Sequence, residues 1–309
     1  MNSDNRVKEF QVAAFYKFAT LDNIGEMRQQ LLDVCQEADL LGTILLANEG
    51  VNGTVAGSAS GIKRLFSHLR GYPDLADITY KTSRCDRNPF LRMKVRLKKE
   101  IVTLGVKGID PTKAAGEYVE PRDWNELVSQ PGVRLIDTRN DYEVNLGTFI
   151  GAENPQTNSF REFPSWVESH LGEDREQPVA MFCTGGIRCE KSTALLKEMG
   201  YKNVYHLKGG ILNYLEKIPA DKSLWQGDCF VFDNRVSVDH DLAEGYYELC
   251  PACRMPLSEE DRKSPQFEEN VSCPKCIDRL TPERRASLEE RGRQIKLARA
   301  RGEKHIGRR

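Results

Sequence analysis

Cys183 stands where an apolar run meets two glycines, in the stretch PVAMFCTGGIRCEKSTALLKEMG that spans residues 178–200. The pattern predicts a short strand, a turn that starts at Cys183, and a helix from about Cys189. In the loop Thr184, Gly185, Gly186, Ile187 and Arg188, the two glycines lack Cβ atoms, so successive backbone N–H groups can curl inward as an anion-binding nest. The helix adds its positive N-terminal end. Both effects favour thiolate over thiol, and cysteines in such settings have pKa values lowered to roughly 3.5–7.5 from about 8.5. Cys183 is therefore the candidate nucleophile, with Arg188 and Lys191 expected to add positive charge nearby. The competing assignment is a structural cysteine at the end of a core strand. Two adjacent glycines, an arginine and a helix start argue against it. Cys189, at the far end of the loop, reads two ways: it could resolve an oxidised or persulfidated Cys183 by forming a disulfide, or simply be a small residue that starts the helix.

A second constellation is Cys250-Pro-Ala-Cys253 followed by Cys273-Pro-Lys-Cys276. Each C-x2-C turn presents two thiolates, and two such turns complete a tetrahedron, so the spacing predicts a structural zinc site. Two redox pairs or free thiols are the alternative. His240 and Cys229 fall outside the spacing.

The elements that must position these residues follow from periodicity. Residues 1–112 read β-α-β-β-α-β, the split βαβ order of a ferredoxin-like domain, with FLRMKVRLKKEIVTLG as its long last strand. In that strand Leu91, Met93, Val95 and Leu97 alternate with Arg92, Lys94, Arg96 and Lys98, so period two places four cations on one face, either for nucleic-acid phosphates or as a solvated edge guard. Cys85 is placed on the turn before Pro89. Residues 113–225 alternate strands and helices, which implies a parallel sheet covered on both faces with its site at the carboxyl ends of the strands; Asp137 and Cys183 both occupy such ends. Residues 226–309 form a cysteine-rich region and a basic tail. From Thr281 an amphipathic charged helix is expected, carrying Arg284, Arg285, Arg291, Arg293, Lys296, Arg299 and Arg301, followed by Lys304, Arg308 and Arg309. Such a cluster is an RNA-binding footprint or a solvated terminus.

The chain has 309 residues, 29% of them charged, and a formal net charge of −1, so it is no polycation and charge acts locally. Nine cysteines in a chain without an export signal argue for metal binding and catalysis over a disulfide framework. No apolar run reaches the roughly 20 residues of a membrane span. A cytoplasmic protein with no membrane partner is expected. His68, His170, His206, His240 and His305 form no recognisable two-histidine, one-carboxylate iron set, and no dinucleotide fingerprint precedes a helix.

LIDTRNDYE, with Asp137, Arg139 and Glu143, the segment from Gly147 to Ala152, the loop CTGGIRC and the pair Gly209-Gly210 together resemble the rhodanese family. That resemblance implies a cysteine able to carry a persulfide in the loop, and an aspartate and arginine that order neighbouring loops. Thr148 stands where many members have histidine. Phosphatases related to this family use Cys-x5-Arg; here Arg188 follows four intervening residues and Cys189 takes the arginine's place, a tighter ring that suits sulfur better than phosphate. Over nearly the whole chain, GTILLANEGVNGTVAG, NPFLRMKVRLKKEIV, FREFP, CTGGIRCEKS, LKGGILNYLE and FVFDNR resemble the bacterial oxygen-dependent tRNA uridine hydroxylases. This implies an oxidoreductase that converts the wobble uridine of tRNA to 5-hydroxyuridine with dioxygen as substrate and Cys183 as the active-site residue. The sequence names no electron donor, and a small-molecule reductant or sulfur donor is a further conceivable partner. Zinc rests on spacing alone. The competing functions are a persulfide-forming sulfurtransferase and a binding module with an unreactive Cys183.

Overall fold

The computed structural model describes residues 10–302. These fall into two compact units, one holding the residues up to 230 together with 238–243, the other 231–237 and those from 244 on. Among the described residues no helix is long and apolar enough to cross a membrane.

The first part of the larger unit runs β1 (Phe10–Phe18), α1 (Ile24–Glu37), β2 (Leu41–Ala47), β3 (Gly50–Gly57), α2 (Ala59–Leu69), β4 (Lys81–Cys85) and β5 (Met93–Leu97). Its sheet has the order β4-β1-β3-β2-β5, antiparallel except that β5 lies parallel to β2. The ferredoxin-like order is thus complete at β4, and Cys85 ends that strand instead of sitting on a turn. The predicted long last strand is a five-residue addition at the opposite edge. The reason for the misassignment is compositional: KTSRC is a half-exposed edge strand with no apolar alternation, whereas MKVRL has one. Even there the alternation is only partly used. Val95 is buried, but Leu91 and Leu97 are exposed at the sheet edge along with Arg92, Arg96 and Lys98, and Lys94 is half-buried.

Helix α2 illustrates how the core is specified. Ser58 caps it by accepting a hydrogen bond from the Gly61 amide at 3.0 Å, and Ile62, Leu65, Phe66 and Leu69 recur at helical spacing and are buried. Phe66 stacks on Tyr80 with ring centroids 3.9 Å apart and meets Phe15 edge-on at 5.0 Å.

The second part comprises α3 (Pro111–Ala114), β6 (Glu117–Val119), α4 (Pro121–Val128), β7 (Arg134–Asp137), α5 (Asp141–Val144), β8 (Gly147–Phe149), α6 (Phe163–His170), β9 (Val179–Phe182), α7 (Ile187–Glu198), β10 (Val204–Leu207), α8 (Gly210–Lys217) and β11 (Trp225–Gly227). Its sheet, β6-β10-β9-β7, is wholly parallel, as the alternation of strands and helices requires. All four residues of β9 are buried, and its neighbour β7 brings Asp137 level with Phe182.

In the smaller unit two short antiparallel strands, Glu248–Leu249 and Pro256–Leu257, precede α9 (Glu259–Lys263) and α10 (Pro282–Ala300). Thr281 caps α10 by accepting from the Arg284 amide. The expected amphipathic character is weak: Leu288, Gly292 and Ala298 are its only buried described residues. Lys304, Arg308 and Arg309 of the basic tail lie outside the described residues.

Replacing Phe66 by alanine removes a fully buried ring from two aromatic contacts and should destabilise the protein by roughly 3–5 kcal/mol, read as a lower denaturation midpoint in urea. An unchanged midpoint would mean that this core does not hold the ferredoxin-like part together.

Candidate active site

Strand β9 ends at Phe182 and delivers Cys183 to the mouth of the parallel sheet. Gly186 takes a φ of 102°, a conformation open to glycine but strained for other residues, and serves as the N-cap of α7. The helix therefore starts at Ile187, two residues earlier than expected, which leaves the amides of Arg188 and Cys189 among the first-turn donors without an intrahelical partner. These amides point at the sulfur. Gly186 N donates to Cys183 Sγ at 3.2 Å, and the backbone N–H groups of Arg188 and Cys189 donate to it as well, as does the Cys189 thiol. Burial alone would push the Cys183 thiol up; the Cys189 thiol, the Arg188 charge and the two amides outweigh it and lower the pKa to about 5. Cys189 goes the other way, raised by burial and by the negative sulfur beside it. Cys183 and Cys189 are each 0% exposed.

The carbonyl side of the loop is clamped by the start of α8. Ile211 N donates to Cys183 O at 3.0 Å and Leu212 N to Thr184 O at 3.1 Å. This close approach explains the Gly209-Gly210 pair: a Cβ on Gly210 would lie 2.5 Å from the Cys183 carbonyl oxygen.

Two buried ion pairs brace the loop from behind. Arg188 binds the Glu143 carboxylate in bidentate fashion at 2.6 and 2.8 Å. Burial would raise the Glu143 carboxyl, and the Arg188 guanidinium more than offsets it, holding the group below the usual carboxylate range. An arginine so engaged contributes charge to the loop but is not aimed at a bound oxyanion. Arg139 grips Asp137 at 2.6 and 2.9 Å and donates to the carbonyls of Gly147 and Glu143. Thr148 donates its hydroxyl to Asp137 at 2.9 Å. Asp137 and Arg139 thus tie the end of β7 to α5 and β8.

Several residues at the site carry no local motif. Glu190 accepts hydrogen bonds from Tyr16 of β1 at 2.9 Å and from Tyr118 of β6 at 2.8 Å, and burial raises its carboxyl. Lys191, expected to add positive charge near the loop, is buried and paired with Glu49 at 2.8 Å and Glu100 at 2.6 Å, both in the N-terminal part of the chain. Lys81 Nζ is buried without a hydrogen-bond partner against Gly209, where a Cβ would approach it to 2.5 Å; burial brings its pKa down to about 8. Only the strand alternation of β1, which buries Phe15 on one face and so turns Tyr16 to the other, hinted at any of these.

In the smaller unit Cys250, Cys253, Cys273 and Cys276 converge, their sulfur atoms all within 4.8 Å of one another. Sulfur separations of 3.9, 3.7 and 3.7 Å match the roughly 3.8 Å edge of a tetrahedron with metal–sulfur distances of about 2.3 Å. The four residues could hold a metal ion. Cys229 and His240 are not part of this set. Of the basic residues, Arg92, Arg96, Lys98 and Arg284 are exposed, while Arg285 pairs with Glu268 and Glu289, and Arg293 with Glu290.

The sulfur cage gives a pH signature. The thiolate of Cys183 should persist at neutral pH and disappear as pH falls through about 5, read as loss of ultraviolet thiolate absorbance in the native protein relative to Cys183→Ser. A midpoint near 8.5, the ordinary thiol value, would show that the amides do not hold the charge.

Residues 10–101 match the family described as UPF0176 acylphosphatase like domain, and residues 120–217 match the rhodanese-like domain family. A tRNA uridine(34) hydroxylase of Agrobacterium fabrum is 54% identical over 300 residues, 97% of this chain and 96% of the relative. Another, from Teredinibacter turnerae, is 54% identical over 301 residues, 97% and 94% of the two chains. With that identity running through both domain families and beyond them, the chain belongs to the family of the tRNA uridine(34) hydroxylases.

Proposed function

We propose that this chain is a cytoplasmic oxidoreductase that hydroxylates uridine 34 of tRNA at C5, with dioxygen as co-substrate and Cys183 as the residue that carries the chemistry. The single observation behind that assignment is a buried sulfur at the sheet mouth on which three backbone N–H groups converge, an arrangement that favours the thiolate. A thiolate could act by adding to uracil C6, which makes C5 nucleophilic, or by taking up oxygen and passing it on. Cys183 is fully buried, and in the second route only the small dioxygen molecule has to bond to the sulfur itself. The same cage would also hold a persulfide, so sulfur transfer is the competing activity.

Three regions divide the work. Residues 1–112 present the exposed cations Arg92, Arg96 and Lys98, with Lys94 beside them, to tRNA phosphates. Residues 113–225 hold the sulfur. Residues 226–309 carry the four-cysteine set and the basic helix with Arg284 and Arg285. The metal there is a structural zinc: the donor set is all thiolate, and its sulfur spacing suits a closed tetrahedral site.

The activity reading is tested with Cys183→Ser. Hydroxylation of a tRNA substrate, measured by nucleoside mass spectrometry, should fall to background while the native protein forms 5-hydroxyuridine only in air. Hydroxylation by the serine variant at the native rate would remove Cys183 from the chemistry, and rapid thiocyanate formation from thiosulfate and cyanide without any hydroxylation would favour sulfur transfer. For the metal, elemental analysis should find one zinc per chain, and chelation should unfold the smaller unit. A folded, metal-free preparation would contradict this.

A further inference from the structure

Hydroxylation of a C–H bond by dioxygen leaves an electron account to settle. Dioxygen takes up four electrons on its way to one hydroxyl and one water, and the C5–H bond supplies two. The other two must come from elsewhere, and the site holds a pair of groups able to give them.

None of the nine cysteines is in a disulfide. Cys183 and Cys189 stand together in one buried cluster, apart from the four cysteines of the metal set, and the first turn of α7 that carries Cys189 lies against the Cys183 loop. Cys189 belongs to the first turn of α7, and Thr138 Oγ1, which donates to the Phe182 carbonyl just before Cys183, lies 3.7 Å from its sulfur. A disulfide between them requires the two sulfurs of this shared buried cluster to close to about 2.05 Å. Cys229, buried near Arg139, turns its thiol to the Phe230 carbonyl at 3.7 Å, and four other cysteines make up the metal set.

We propose that Cys183 and Cys189 together are the two-electron source of the hydroxylation, passing from dithiol to disulfide once per turnover. This rests on the hydroxylase reading above. The Cys183 thiolate adds dioxygen, forming a sulfur–oxygen bond. C5 of the uridine takes the outer oxygen as the oxygen–oxygen bond breaks, and its proton is released. Cys183 is left as a sulfenic acid. The Cys189 sulfur then attacks the Cys183 sulfur, and the remaining oxygen departs as water. Summed, dioxygen, the C5–H bond and two thiols give the C5 hydroxyl, a disulfide and water. A cellular thiol reductant reopens the disulfide by exchange.

The two cysteines are tuned for this order of events. While Cys183 is negative, its charge and the surrounding burial keep Cys189 protonated, so only Cys183 meets dioxygen as a thiolate. Once Cys183 becomes a neutral sulfenic acid that repulsion ends, and Cys189 can lose its proton and attack.

The test uses the full chain, reduced, freed of added thiol and mixed with a tRNA substrate in air. After quenching with iodoacetamide, peptide mass spectrometry counts Cys183–Cys189 disulfides and nucleoside analysis counts 5-hydroxyuridine. The native protein should stop at one product per disulfide and resume turnover when dithiothreitol is added. Cys189→Ser should make its first product and then stall with Cys183 as a sulfenic acid that dimedone labels. Because the count on the native protein needs no variant, misfolding of Cys189→Ser would not spoil it. Product that accumulates while both thiols stay free to alkylation overturns the electron-source role and leaves the hydroxylase reading standing. No 5-hydroxyuridine from the native protein, with or without thiol, overturns both.

Discussion

The structure depends on one balance: the cost of burying a charged sulfur against the donors that surround it. A thiol with no exposure would ordinarily lose its acidity, and Cys35 shows this within the same chain, pushed up to about 12 by burial alone. Cys183 is as deeply buried and falls to about 5. The difference lies in the Cys189 thiol, the Arg188 charge and the amides at the start of α7. Keeping the thiolate against full burial takes a large electrostatic term in its favour. Such a term cannot come from a flexible loop, because donors that could turn toward water would gain nothing by facing the sulfur.

The loop is accordingly held on every side. Gly186 sets the direction of the amides, the start of α8 takes the carbonyls, and Glu143 fixes Arg188. Buried ion pairs are poor stabilisers on balance, but removing one partner strands the other charge, so they fix geometry even where they add little stability. The Asp137–Arg139 pair works the same way on the strand next door, with Thr148 contributing its hydroxyl.

How much of this the sequence disclosed follows from how local each feature is. The Cys183 loop, the Asp137-Arg139 motif and the paired C-x2-C turns are written in a few consecutive residues whose chemistry does not depend on distant partners. Strand β4 was hidden because KTSRC has an edge strand's polar composition, and the start of α7 was misplaced by two residues because a left-handed Gly186 is a conformation, not a residue type. Tyr16 lies 174 residues from the Glu190 it binds, and no periodicity encodes that. Lys191 read as added positive charge near the loop for the same reason: its partners Glu49 and Glu100 arrive from the other part of the fold.

Helix α7 shows why the two parts of the larger unit are joined. Three consecutive residues, each turned by about 100°, face three neighbours. Cys189 meets the loop, Glu190 meets Tyr16 and Tyr118, and Lys191 meets the two glutamates. Ser192 and Thr193 return their hydroxyls to the Cys189 carbonyl, and Thr193 Oγ1 also accepts the Gly116 amide at 2.9 Å. A helix with glutamate, lysine, serine and threonine all buried would be untenable alone, since each polar group out of water needs a partner. Here the partners of Glu190 and Lys191 come largely from the N-terminal part, so that part completes the helix whose first amides hold the sulfur.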